Sequence, residues 1–186
     1  MLARRTFVVL LAALPAACTS PNPALYTLAV VPGAEHAGAP RVVELRAIAV
    51  AHYLERSQIV RSSEGFRLDV LGNDWWGEPL DAMLGRVLSE ELTQRLPGST
   101  VYGENGSISA TAAATVAINV QRLDEDAAGA VVLIAQVAVA SGRDSATQTV
   151  RYSVPPLGTG TAALVSAMSA AVGQLADTVA GMVAGR

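Results

Sequence analysis

The chain has 186 residues, with 13 arginines and no lysine against 16 acids, a formal net charge of −3, two histidines and a single cysteine. An acidic chain without a basic run lacks the electrostatic footprint of a nucleic-acid binder, and two histidines with one cysteine leave too few ligands for an ordinary metal centre. The hydrophobic fraction of 51% is carried largely by alanine and the apolar N-terminus, so it does not indicate a polytopic membrane protein.

The opening MLARR is positive, and TFVVLLAALPA is an apolar run of about twelve residues, too short to span a bilayer. This predicts an export signal over residues 1–17. Arg4-Arg5-Thr6-Phe7 is compatible with either the twin-arginine or the general route. The run ends in Leu14-Pro15-Ala16-Ala17-Cys18, which resembles the lipobox of bacterial lipoproteins, with small residues before the only cysteine, whose thiol takes the diacylglycerol. Cleavage there leaves 186 − 17 = 169 residues, enough for one domain, with 13 − 2 = 11 arginines against 16 acids, a charge of −5. Three acyl chains on Cys18 anchor a protein almost permanently. Thr19, rather than Asp, resembles the outer-membrane destination of Gram-negative lipoproteins. With Cys18 acylated, no thiol is left for an internal disulfide.

Residues 18–24, with two prolines, form the lipidated tether, and 25–186 the periplasmic domain. Ala24–Val30 is a first strand candidate, 32–40 a loop, Val42–Val50 a second strand, and Gln58–Val60 and Phe66–Val70 shorter ones. From Leu80 the period changes. Leu80, Met83, Leu84, Val87, Leu88, Leu92 and Leu96 make the stripe of an amphipathic helix, with Pro79 at its start and Pro97-Gly98 after its end. A small strand at Thr100–Tyr102 and the loop GENGSIS follow. Val116–Leu123, Val131–Ala140 and Thr147–Val154 then form a three-stranded antiparallel meander, with the acids of Asp124-Glu125-Asp126 as a solvated turn. The last segment, Thr161–Ala184, carries Leu164, Val165, Met168, Val172, Leu175, Val179 and Met182 on one side of a second helix. Two one-sided helices and a sheet solve their burial together. The expectation is a single α+β domain, a mixed or antiparallel sheet with both helices packed on one face.

Catalytic chemistry finds no support in the residues. There is no Gly-x-Ser-x-Gly elbow, neither His36 nor His52 stands in a recognisable relation to a serine or acid, and Glu90 and Glu91 point to different sides of their helix. Gly158-Thr159-Gly160-Thr161-Ala162-Ala163 fits the Gly-x-Gly-x-x-Ala dinucleotide fingerprint in letters. The parallel strand that must follow the helix is missing, so a turn with a threonine N-cap is the reading kept. No cofactor and no metal are expected.

Tyr53-Leu54-Glu55-Arg56-Ser57-Gln58-Ile59-Val60-Arg61, then Gly65-Phe66-Arg67-Leu68, then Trp76-Gly77-Glu78-Pro79-Leu80 and a helix resemble the PqiC-type family, the ABC-transport auxiliary lipoproteins of bacterial MCE systems. Tyr26-Thr27-Leu28 shortly after the lipobox fits the same pattern. Ser57 stands where the family has proline, Glu55 where it has aspartate, Ala51-His52 where a proline is common, and Gly77 where it has alanine. The resemblance implies a non-enzymatic lipoprotein on the periplasmic face of the outer membrane. Its implied partners are a periplasmic MCE-domain protein, an inner-membrane permease and an ATPase that move lipid between membranes. Relatives of this kind form rings, so the resemblance also implies a homo-oligomer. A lipoprotein that assists another outer-membrane machine, such as a lipopolysaccharide translocon, is the competing binding role.

Within this frame Tyr53, Arg56, Gln58 and Trp75 are candidate partner contacts, and Cys18 is the lipidation site. Trp76, next to Glu78-Pro79-Leu80, is the candidate core anchor.

Overall fold

The computed structural model describes residues 22–107 and 110–185; the expected signal peptide, Cys18, residues 19–21 of the expected tether, and Ile108 and Ser109 of the GENGSIS loop lie outside them. Among the described residues, nine strands and two helices follow in the order β1 (Ala24–Tyr26), β2 (Val42–Leu45), β3 (Ala49–Val50), β4 (Gln58–Ser62), β5 (Asp69–Trp76), α1 (Leu80–Arg95), β6 (Thr100–Gly103), β7 (Ala114–Glu125), β8 (Val131–Ser141), β9 (Asp144–Val154) and α2 (Thr161–Ala184). The strands form one mixed sheet. The expected α+β domain, with two helices on a sheet that ends in an antiparallel meander, is the architecture observed.

The long hairpins β7–β8 and β8–β9 are its frame. Ala114, Val116, Ile118 and Val120 of β7 and Val131, Leu133, Ala135, Val137 and Val139 of β8 are buried beneath the helices, as the period of two requires. A bulge at Gln121 lets Leu123 return to the core side opposite Leu133.

The seven stripe residues of α1 are all buried. In α2 the face is broader than its large residues indicate. Ala167, Ala171, Ala176 and Ala180 are buried as well, and Val183 rather than Met182 closes the C-terminal end. By length and composition α2 is apolar enough to cross a membrane, yet 61% of its 18-residue window is buried inside this fold. Here it is the central core helix, packed on α1, β8 and β9.

One edge of β7 is covered end to end by a single stretch of chain. Val43–Leu45 pair in parallel with Ala114–Val116, Ala49 and Val50 with Asn119 and Val120, and Ser62 with Glu125. The expected strand Val42–Val50 is therefore split by a one-residue bulge, across which Arg46 still donates its N–H to the Val116 carbonyl at 2.9 Å. The second interruption is larger, since 62 − 50 = 12 residues on this side span what 125 − 120 = 5 cover on β7. The seven extra residues leave the sheet edge as an excursion around His52–Ser57.

Three further expectations shift. The strand expected over Ala24–Val30 ends at Tyr26, because the next residues run between the helices and bond to their side chains. Ala29 N–H donates to Ser169 Oγ at 3.0 Å and Val31 N–H to Glu91 Oε1 at 2.7 Å, while the Val31 carbonyl accepts from Arg95 Nη1 at 3.0 Å. Every buried backbone group needs a partner, and here the helices supply it. The strand expected over Phe66–Val70 begins only at Asp69, because Gly65 at φ +63° turns the chain and leaves Phe66 in the hairpin loop. Finally, the N-cap of α2 is Gly160 without a side-chain cap, and the Thr161 hydroxyl instead donates to Asp74 Oδ2 at 2.8 Å.

Candidate functional site: a groove beside the excursion

The excursion is pinned from inside. Leu54, in a short 3-10 turn at His52–Leu54, is buried, and the half-buried Tyr53 sends its hydroxyl to Asp124 Oδ2 at 2.7 Å. Asp124 also accepts from Ser63 Oγ at 2.7 Å and from Arg122 Nε at 2.8 Å. It is fully buried. This corrects its reading as part of a solvated turn, since β7 runs on to Glu125 and the turn starts at Asp126, whose carboxylate accepts the N–H groups of Ala128 and Ala130. Burial first, then the hydrogen bond and charge of Asp124, hold the Tyr53 phenol protonated far above its ordinary range. The exposed Arg56 donates from Nε to the Tyr53 carbonyl at 2.9 Å.

The end of β5 closes the other side. Trp76 is 6% exposed and belongs to the hydrophobic core; its backbone N–H donates to the Ser57 carbonyl at 2.7 Å, tying strand to excursion. Gly77 N–H bonds the Tyr26 carbonyl at 2.8 Å. A methyl group at Gly77 would meet that carbonyl oxygen at 3.5 Å, an ordinary contact, so the alanine found at this point in the resembling family fits without strain. Pro79 then caps α1, and its carbonyl accepts from Met83 at 2.9 Å.

Between these walls lies a cavity of about 870 Å³, lined by Ile48–Val50, His52, Glu55–Ser57 and Trp76–Asp81. A smaller one of about 330 Å³ continues along α1, sharing Ile48 and Asp81. The floor is apolar, from Ile48, Trp76 and Leu80. The rim is mixed in charge. Glu78 is held by Arg86 at 2.5 Å, and His52 Nδ1 lies 3.0 Å from Glu55 Oε2, whose hydrogen bond and charge raise the histidine pKa. An apolar floor with a polar rim is the composition of a binding groove. Among the described residues no group of three or more His, Cys, Asp and Glu is placed to hold a metal ion.

Of the residues singled out in the sequence, Arg56 stands on the groove rim and Trp76 in its floor. Gln58 and Trp75 are cross-strand partners, and Leu25 of β1 is paired with Trp75 on its other side. Because adjacent strand residues alternate, Trp75 faces away from the core that holds Trp76. It donates Nε1–H to the Gly72 carbonyl at 3.2 Å. Leu25, 67% exposed, completes this row. Tyr53 turns its polar end inward, and Cys18 lies outside the described residues. The sequence reading missed Ile48, His52, Glu78 and Asp81 as groove walls, since only the long-range pairing along β7 brings them together.

Away from the groove, Glu91 and Arg95 are fully buried on α1. Arg95 donates Nε–H to Asp177 Oδ1 at 2.6 Å and Nη2–H to the Gly173 carbonyl at 3.2 Å. The guanidinium lies so close to Gly33 that a Cβ there would come within 2.3 Å of it. Burial pushes the Glu91 carboxyl up to about 7 against the pull of the Val31 N–H and the Arg95 charge. This cluster fastens the segment after β1 between the helices.

A family model, that of the ABC-type transport auxiliary lipoprotein component, matches residues 26–180. No curated protein matches the chain by sequence. Among solved structures, an uncharacterized protein is similar with a TM-score of 0.75 at 18% identity, over 88% of this chain and 99% of that one. A Xanthomonas campestris protein of the DUF330 family is similar with a TM-score of 0.68 at 19% identity, over 85% and 93%. At these identities the likeness concerns the fold. The family match spans both segments that wall the groove, and the chain belongs to the family of ABC-type transport auxiliary lipoprotein components.

Proposed function

We infer that this is the lipid-anchored docking component of an MCE-type ABC system for intermembrane lipid transport. Cleavage before Cys18 and its acylation fix the chain to the periplasmic face of the outer membrane, with 18–24 as tether. The groove receives the periplasmic MCE-domain protein, whose inner-membrane permease and ATPase drive transport. The role is one of binding, with no catalytic group. The observation that carries it is convergence: residues 55–57 and 76–80, from two of the stretches that carry the family resemblance, line one cavity of about 870 Å³. The row Leu25–Trp75–Gln58 on the sheet's other face offers a separate contact surface, suited to self-association into a ring.

The test is fractionation with co-purification. Wild-type chain is expected in the outer-membrane fraction, bringing down an MCE-domain protein. Cys18→Ala is expected as a folded, soluble periplasmic protein. Recovery of that variant in the outer-membrane fraction, or capture of a lipopolysaccharide-translocon barrel in place of an MCE protein, overturns the reading.

A further inference from the structure

Among the described residues, Phe66 is 110% exposed, Leu157 98% and Leu68 42%. They sit on two loops, and the register brings those loops to one end of the sheet. Ser62 is paired with both Asp69 and Glu125, Glu125 with Val131, and Val131 with Val154. The connections leaving these strand ends, Ser63–Leu68 and Pro155–Gly160, therefore emerge at the same end of the sheet, with the β7–β8 turn between them. Three of the four large apolar side chains exposed among the described residues, Leu25 being the other, lie at this end, and they call for an apolar surface to cover them.

The course of the N-terminus says what that surface is. β1 runs parallel to β5 with Ala24 beside Asp74, and Asn73 Nδ2 donates to the Asn22 carbonyl at 3.4 Å. Followed backwards from Asn22, the chain therefore points toward Asp69 and the hairpin tip. At most three residue steps of β5, about 10 Å, separate the level of Asn22 from that strand's start. The four steps from Cys18 to Asn22 reach at most about 14 Å. The level of Phe66 and Leu157 is thus within the reach of a lipid on Cys18.

Most of the acids at this end are taken up locally, Glu125 excepted, which makes no ion pair among the described residues. Glu64 is taken up by Arg122 at 2.6 Å, Asp69 by Arg61 at 3.4 Å, and Asp126 by its own turn. Arg67, between Phe66 and Leu68, makes no ion pair among the described residues and is free to meet a phosphate.

We propose that this end of the domain is a membrane foothold: Phe66, Leu68 and Leu157 enter the interface of the bilayer that holds the acyl chains, with Arg67 at headgroup depth. The proposal rests on acylation of Cys18 for the source of the bilayer. It goes beyond it by orienting the domain, because an anchor on a tether alone leaves the domain free to tumble. The groove, at the other end of β5, then points away from the membrane.

The test uses the mature chain with Cys18→Ser and an N-terminal hexahistidine bound to nickel-chelating lipid, on vesicles of phosphatidylethanolamine and phosphatidylglycerol. A single environment-sensitive fluorophore is placed through Phe66→Cys, Leu157→Cys or, as a control at the far β8–β9 turn, Asp144→Cys. Labels at 66 and 157 are expected to shift to the blue and to be quenched several-fold more than the label at 144 by quenchers in the lipid chains. Equal behaviour at all three positions overturns the foothold, as does a shift that needs no vesicles and grows with protein concentration, or one that needs a second protein. Acylation is read separately, from the mass of the natural mature chain, so its failure is distinguishable from failure of the foothold.

Discussion

Two adjacent tryptophans carry different loads. Trp76 is buried in the core and Trp75 lies on the opposite face of β5 beside Gln58 and Leu25. Trp76→Ala is expected to lower stability by about 3–5 kcal/mol, and Trp75→Ala by far less; urea unfolding of the two variants checks this, and equal midpoints contradict it. Glu91 offers a test through pH. Its folded pKa, about 7, stands above the ordinary 4.5, so the folded state binds the extra proton between those values. Stability then falls as pH rises through that window, by up to about 3 kcal/mol, and is restored on acidification. Glu91→Gln, which keeps an oxygen for the Val31 N–H, is expected to flatten the profile between pH 5 and 8. An unchanged profile assigns the pH dependence elsewhere.

At the level of elements, the excursion between β3 and β4 is the feature on which the groove depends, and it stands on Leu54 and on the bond from Tyr53 to Asp124. Tyr53→Phe keeps the ring but leaves a buried carboxylate with one donor fewer, at an expected cost of about 1–3 kcal/mol in urea unfolding; no loss contradicts the pinning. The helices and the meander were legible in the sequence because their apolar positions repeat at fixed periods, as in the seven stripe residues of α1. What escaped was set by distant partners. Leu28 and Val30 keep a strand-like alternation beyond Tyr26, but Ser169, Glu91 and Arg95 satisfy the backbone there in place of a neighbouring strand. Asn73 and Asp74 hid the strand that ends in Trp75 and Trp76, and the register with β7, which turns residues 52–57 out of the sheet, leaves no local mark. Both groove segments were visible as motifs; that they face each other was not.

The whole molecule has a direction. β5 runs from the hairpin that carries Phe66 to the groove floor at Trp76, and β4 covers the interval from Asp69 to Trp75 in four residue steps, roughly 13 Å. The N-terminus leaves the fold toward the first of these ends, and the groove opens at the second. With the proposed anchoring through Cys18, the groove is presented away from the membrane that holds the chain. The most direct measurement is site-specific photo-crosslinking in cells that contain the transport system. A photoreactive residue replacing Arg56 is expected to give an adduct with the MCE-domain protein, and one replacing Asp144 none; equal adducts from both positions, or an adduct from Arg56 only with an unrelated outer-membrane barrel, would contradict the account.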